Sequence, residues 1–591
     1  MLKSGYSSLL AGLLLLLTTA ATSQSQPSTP GTQPATSQAP AGNPPASSKA
    51  SDALRVTTRL VIVDVVALDH KGLPVTDLKA EDFSLQEEGS SQKIKVFSFQ
   101  PAQAEGTNSP LQLPPNMTSN IPTYQPNRTL NVILLDGLNT DIAGQKLVKQ
   151  EMIKVLEKLP AGQPVAVYGL STKLRLLQDF TTDPTLLKQA VASLKGHRSP
   201  VLDGGQPYID MSVTSALADM GLENEVAQIQ LFQEENTTAQ TDARVQITLA
   251  ALNSLARMLA GYPGRKNLIW LSSAFPGQLL STNFGMRGNS PGRDYSDEIQ
   301  RTSNALSNAR VAVYPVDAAA LVNSSVYSAS DNPSARGGWA TPRTSSDRPG
   351  GGAELSKGSD DELARHTTMS SVAEETGGRA FLRTNDLEKA IREGLSDGAT
   401  YYTLGYYPED KNWNGKFRRI AVKVERQGIK LRFRQGYFAS DPNGYTKIDP
   451  KKQTAELSQA LSLDYPISTA LPFRAQVIPP AEKSDGKTII RYAIDAHKLG
   501  FELKSDGLEY ASVECAVQAF ALKGRPLSLQ SNTFGAKLKP EEYQLIMERF
   551  FPCNQTLELA PGDYVLRLGV RDNATGFIGT ANTRVTVPPK S

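Results

Sequence analysis

The sequence predicts a multidomain α/β protein built around a central doubly wound, mostly parallel sheet, with a small β unit before it and a β-sandwich after it. Three observations predict this. Continuous apolar runs such as Leu130 to Leu135 and Val311 to Val316 lack alternation, as strands covered on both faces require. Helical patterns alternate with these runs, which is the grammar of a parallel sheet wrapped by helices. The flanking regions read as strands with almost no helix, and a length of 591 residues is enough for roughly three or four folded units.

In chain order, Lys3, the apolar run Leu9 to Leu17 and the small residues Thr19 to Ser23 predict a signal peptide over 1–23 and hence an exported protein, periplasmic, extracellular or surface-associated. The run is shorter than the ~20 residues that cross a bilayer, so no integral span is expected after signal cleavage. No Cys near the cleavage point supports a lipid anchor. Residues 24–52, rich in Pro, Ser, Thr and Gln, predict a linker. The β-branched run Val61 to Leu68 and the later segment Lys93 to Phe99 predict a small β domain over 53–100, with a second linker over 101–127.

The α/β domain is expected over 128–440. Strands are predicted at Leu130–Leu135, Val165–Leu170, Asn267–Leu271, Val311–Val316 and Arg379–Leu382, with helices that include Val245–Leu259 and Leu363–Glu375, the latter closed by a left-handed cap at Gly377-Gly378. Insertions are expected at about 197–242 and 323–358. The strands Tyr401 to Tyr407, Phe417 to Val424 and Lys430 to Arg434 are predicted to extend this sheet at an antiparallel edge, with Tyr401, Tyr402, Tyr406 and Tyr407 used in packing. A connector over 441–460 leads to an immunoglobulin-like β-sandwich over 461–591, where Tyr564, Leu566, Leu568 and Val570 alternate.

A balance of 62 basic against 59 acidic residues excludes the electrostatic footprint of a nucleic-acid or anionic-lipid binder. The four histidines, His70, His197, His366 and His497, have no metal-ligand spacing and read as surface or internally satisfied residues. Cys515 and Cys553 are the two cysteines. After export they form either a disulfide or two separate buried thiols, and both readings stand at this point.

Asp136 and Thr140 lie at the carboxyl end of the first buried strand, where open α/β sheets bind ligands. Either Asp136 helps to hold a cation or it caps the following helix and accepts backbone hydrogen bonds. Asp317, at the end of Val311 to Val316, also reaches this edge and either lines the same crevice or, the favoured reading, forms a turn. Gly394-Leu395-Ser396-Asp397-Gly398 matches the Gly-x-Ser-x-Gly nucleophile pattern, but a helix precedes it and a strand follows, the reverse of what that chemistry needs.

The stretch Asn131 to Thr140 resembles the von Willebrand factor A family, whose metal-ion-dependent adhesion site starts with Asp-x-Ser-x-Ser. Asp136 and Thr140 fit that pattern and Leu138 does not. The resemblance implies Mg2+ or Mn2+ completed by a second-loop threonine and an aspartate after the fourth strand; the matching strand here ends Leu271-Ser272-Ser273, which makes the site degenerate. Over most of residues 55 to 440 the chain more specifically resembles the von Willebrand-related proteins of acidobacteria. The residues that carry this are Asp69-His70-Lys71-Gly72, Val75-Thr76-Asp77-Leu78, Glu81-Asp82-Phe83, Leu134 to Thr140, Tyr402 to Pro408, Phe417-Arg418 and Arg434-Gln435-Gly436-Tyr437. The resemblance implies binding to a protein partner and no reaction. A metal-independent structural component of the envelope or matrix is the second expectation. A hydrolase is the third, and it would need a base brought to Ser396.

Overall fold

The computed structural model describes residues 60–102, 113–122, 129–159, 162–196, 217, 219–273, 295–318, 366–384, 386–439, 444–480 and 487–589. The expected signal peptide, the linker at 24–52, His197 and the insertion at 323–358 lie outside them. The first strands are β1 (Val61–Leu68), β2 (Phe83–Glu87), β3 (Ser90–Gln92), β4 (Val96–Gln100) and β5 (Met117–Ser119). The α/β region follows with β6 (Leu130–Asp136), α1 (Ile142–Glu157), β7 (Val165–Leu170), β8 (Leu174–Thr181), α2 (Pro184–Ser193), α3 (Glu223–Leu259), β9 (Lys266–Ser272), α4 (Ser296–Asn308), β10 (Val311–Asp317), α5 (366–376) and α6 (Leu387–Ser396). Next come β11 (Tyr401–Tyr406), β12 (Phe417–Val424), β13 (Lys430–Arg432), β14 (Gly436–Phe438) and α7 (Pro450–Leu461). The last region holds β15 (Phe473–Ile478), β16 (Lys487–Ile494), β17 (Glu502–Leu503), β18 (Glu509–Ala521), β19 (Pro526–Leu538), α8 (Pro540–Glu548), β20 (Phe551–Glu558), β21 (Gly562–Asp572) and β22 (Ile578–Val587).

The central sheet runs β10-β9-β6-β7-β8, parallel except for β8 at its edge. Counted within the domain this is the doubly wound order, third strand to fifth, with the switch point between β6 and β9. Strands β6, β9 and β10 are buried along their whole length because helices cover both faces. Val148, Met152, Leu187, Val191 and Ile391 of α1, α2 and α6 pack on one face. Val245, Leu252 and Leu255 of α3 pack on the other, with Leu306 of α4 and Met369 of α5. Each such side chain contributes roughly 1.5–3 kcal/mol by leaving water, more than its helix propensity decides.

The sheet continues beyond β10 through a parallel bridge from Val316 to Phe381. The turn into it is the expected left-handed cap: Gly377 has φ 78°, and the amides of Gly377 and Gly378 donate to Glu374 O and Ala373 O. Among the described residues the first insertion is partly helix, because α3 starts at Glu223 and runs for 37 residues. Its exposed amino-terminal half carries too few apolar residues in period to signal a helix.

The strands β11 to β14 do not extend the parallel sheet. They pair with β1 to β4 in two four-stranded sheets, β13-β1-β11-β4 and β14-β12-β2-β3, so residues 61–100 form half of a sandwich rather than a sheet of their own. Sequence adjacency favoured the nearer sheet, but packing decides otherwise. Tyr402, Leu404 and Tyr406 need the apolar face that Val63, Phe83, Leu85 and Phe97 leave open. A buried polar knot fixes the pairing: Glu87 accepts from Tyr406 Oη (2.6 Å), Tyr437 Oη (3.0 Å) and Arg418 Nη1 (3.2 Å). Tyr401, Tyr402 and Tyr406 are buried, and Tyr407 is exposed. Arg310 joins this sandwich to the amino edge of the parallel sheet by donating from Nε (2.9 Å) and Nη2 (2.5 Å) to Asp64 and from Nη2 to Thr403 Oγ1.

The carboxyl-terminal region is a second sandwich. Its sheets are β20-β16-β15-β5 and β17-β18-β21-β22, with β19 on the other side of β18. Strand β5 comes from the stretch expected as a linker. It is held by Asn120, which donates to Ser468 O and Leu471 O and accepts from Phe473 N. The expected connector likewise holds α7, capped by Asp449 and packed where Gly569 leaves room for Leu461. Cys515 on β18 and Cys553 on β20 form a disulfide across the two sheets, which closes the question the sequence left open. Thr469 ties this sandwich to the end of α3, accepting from Gly261 N and donating its own amide to Arg257 O. No helix among the described residues is long and apolar enough to cross a membrane.

Candidate functional site

The carboxyl edge at the switch point between β6 and β9 brings Asp136, Asn139, Thr140, Trp270, Ser272 and Ser273 together. Asp136 ends β6 with its side chain buried. Its Oδ1 accepts from the amides of Leu138 (3.1 Å) and Asn139 (3.0 Å). Its Oδ2 accepts from Asn139 Nδ2 (2.9 Å), Trp270 Nε1 (3.0 Å) and Ser272 Oγ (3.0 Å). Five donors thus meet a group with about four lone-pair positions. Burial pushes the Asp136 carboxyl above its ordinary range, and the bonds from Asn139, Trp270 and Ser272 oppose that shift.

The surroundings are equally occupied. Thr140 Oγ1 accepts the Ser273 amide at 3.0 Å, which ties β9 to the β6 loop. Asn139 passes the network to α3: its Nδ2 also donates to Thr248 Oγ1 (2.9 Å), and its Oδ1 accepts from Arg244 Nε (3.1 Å). Leu138 is buried in the apolar core at the position where the family pattern has a hydroxyl. At Gly144 in the first turn of α1 a Cβ would lie 2.7 Å from Asp141 Oδ1 and 2.8 Å from Thr140 Cγ2, so the helix seats tightly on this loop.

Magnesium takes about six oxygen ligands at about 2.1 Å, and carboxylates supply the charge that outcompetes water. This donor set does not fit such an ion. It offers one carboxylate already saturated by donors, a leucine where the resemblance has a hydroxyl, and Ser273 where it has an acid. Among the described residues no group of three or more His, Cys, Asp or Glu could hold a metal. Asp136 accepts backbone hydrogen bonds as expected but does not cap the helix that follows; that role belongs to Asp141, which accepts from Gly144 N at 2.8 Å.

Two further expectations change here. Asp317 is not a turn former: it is buried at the end of β10, and its Oδ2 lies 2.9 Å from Nε2 of the buried His366 at the start of α5. Sequence reasoning missed this pair because 48 residues separate the two. Ser396 ends α6 with its hydroxyl bonded to Glu393 O at 3.2 Å, in the helix-then-strand context expected for it. The roles of Trp270, Thr248 and Arg244 were also missed, although Asn139, inside the motif, was the available signal.

No family model matches the sequence, and no curated protein does. Among solved structures, an aerotolerance-related membrane protein from Bacteroides fragilis is 12% identical, with 45% of this chain and 98% of that one covered at a TM-score of 0.23. A von Willebrand factor type A structure from Catenulispora acidiphila is 11% identical over 63% of this chain and 81% of that one, at 0.17. The PilB minor pilin from Streptococcus sanguinis is 10% identical over 46% and 60%, at 0.21. At TM-scores this low, none of these likenesses bears on the site.

Proposed function

We propose that this chain is an exported, non-enzymatic protein-binding module of the von Willebrand factor A type whose carboxyl edge works without a cation. The observation that supports it is the saturation of Asp136 by five neutral donors. A cation would have to displace several of these, each bond to a charged group being worth roughly 1.5–3 kcal/mol. The disulfide between the sheets suits an oxidising compartment and supports export.

The test is calorimetric titration of the purified chain with MgCl2 and MnCl2, beside thermal unfolding with and without EDTA. No saturable heat and an unchanged Tm are expected. Saturable binding that Asp136→Ala abolishes would overturn the reading. The binding half is tested by crosslinking the exported protein in cells and reconstituting each captured partner with purified chain in EDTA; a partner that needs Mg2+ counts against it.

A structural role in the envelope is the second reading. The observation that favours it is the joining of the three bodies by Arg310 with Asp64 and by Thr469 with the end of α3.

A further inference from the structure

Two exposed patches of opposite charge stand on separate elements. The first is on the amino-terminal half of α3. The carboxyl-terminal half of this helix buries Val245, Leu249, Leu252 and Leu255, whereas Leu231 and Phe232 are 59% and 60% exposed. Glu225, Phe232 and Glu235 fall on one face at helical spacing, with Leu231 beside them. The sequence sets this region apart, because positions 199–243 contain eight acidic residues and no Lys or Arg in a chain with 62 basic and 59 acidic residues in all.

The second patch is the β18–β19 hairpin. Leu522, Leu527 and Leu529 are 61%, 45% and 51% exposed, with Lys523 and Arg525 exposed between them. Positions 515–540 contain four basic residues and no Asp or Glu. The turn is rigid: Ala521 N donates to Arg525 O (2.9 Å), Gly524 N donates to Ala521 O (2.8 Å), and Gly524 takes the left-handed φ of 81°. Among the described strands β19 pairs with β18 alone.

Single exposed apolar residues are ordinary, but grouped ones rimmed by charge mark interaction surfaces. Each patch here supplies what the other lacks: apolar side chains rimmed by acid on one, and apolar side chains rimmed by base on the other. We propose that the hairpin around Leu522 to Leu529 of one copy seats on the Glu225 to Glu235 face of α3 in a second copy. Because the two surfaces differ, each contact leaves one unused patch on either copy, and repeating it gives a closed ring where the rotation closes and an open chain where it does not. The inference rests on the cation-independent binding reading and names a second copy as the partner.

The experiment is sedimentation velocity of the full exported chain in EDTA over a range of concentrations. A concentration-dependent series of oligomers is expected. Raising NaCl from about 0.05 to about 0.5 M should weaken it roughly tenfold, since exposed charges are screened. Phe232→Lys and Arg525→Glu should each leave the chain monomeric with an unchanged circular-dichroism melt. Mixing these two variants should restore a one-to-one dimer and nothing larger, because the mixture keeps one intact pair of patches. If either variant does not fold, Lys523→Glu in the exposed turn with Glu235→Lys on the helix replaces the pair. Monomer at every concentration, an oligomer indifferent to both substitutions, or a mixture that stays monomeric overturns the proposal. If the chain is monomeric and titration shows no divalent binding, only self-association fails. Association that appears only with Mg2+ defeats the cation-independent reading as well.

Discussion

Trp270 donates from its indole Nε1 to Asp136 Oδ2 at 3.0 Å, so β9 offers a neutral donor to the carboxylate at the end of β6. A ring that also fills the core under α3 thereby holds the polar centre of the sheet's carboxyl edge. Removing the acceptor leaves buried donors on Trp270, Asn139 and Ser272 without it. Asp136→Ala should therefore cost roughly 3–5 kcal/mol in guanidinium unfolding, and Trp270→Phe, which removes one donor, distinctly less. Equal losses for the two variants would argue against a shared network.

Lys266 begins β9 wholly buried, with its ammonium donating to Ala309 O, and burial pushes its pKa down to about 7, reinforced by Arg310 and Lys498 and opposed by Asp64. The unfolded chain then binds more protons than the folded one between pH ~7 and the ordinary lysine value, so stability rises with pH across that window. Urea unfolding should show a gain of roughly 2–3 kcal/mol from pH ~7 to ~9. Lys266→Met should flatten that slope; a slope that survives the substitution belongs to another group.

The disulfide closes a loop with a sequence separation of 38 between Cys515 and Cys553, and restricting the unfolded chain to that loop is worth about 4 kcal/mol. Cys515→Ala with Cys553→Ala should lower the unfolding midpoint of the carboxyl-terminal sandwich, and dithiothreitol should do the same to the parent chain. A midpoint indifferent to both would mean that the apolar core alone holds the two sheets together.

Gly378 lies against β10 so closely that a Cβ would stand 1.9 Å from Val313 O. Gly378→Ala must move backbone, and the expected loss is roughly 3 kcal/mol or more. At Gly415, where no atom lies within 4 Å of the Cβ position but φ is 78°, alanine should cost about 1 kcal/mol, which isolates backbone strain from collision.

What could be read in advance follows physical lines. Strands buried on both faces announce themselves as unbroken apolar runs, so β6, β7, β9 and β10 were legible, as was the left-handed cap at Gly377. Pairing across long sequence distance was not. The alternation in Ile420 and Val422 shows a strand with one buried face but not which sheet it faces, and the three-residue β5 carries too little pattern to stand out from a Pro-rich stretch. At the site, Asp136 and Thr140 were found because position on the sheet selects them. The donors that surround Asp136 come from β9 and its own loop, and their orientation is a product of packing.

Glu87 and Tyr406 meet across 319 residues of chain. During synthesis or passage through a membrane the segment 61–100 emerges first and must wait, its apolar faces open, until the whole parallel-sheet region and then β11 to β14 have appeared. Closure so late predicts that the first sandwich is the slow step of folding and that its strands are exposed to wrong pairing meanwhile. Under the proposed export that delay would keep the domain threadable, and a chaperone that shields β1 to β4 would have a defined interval in which to act.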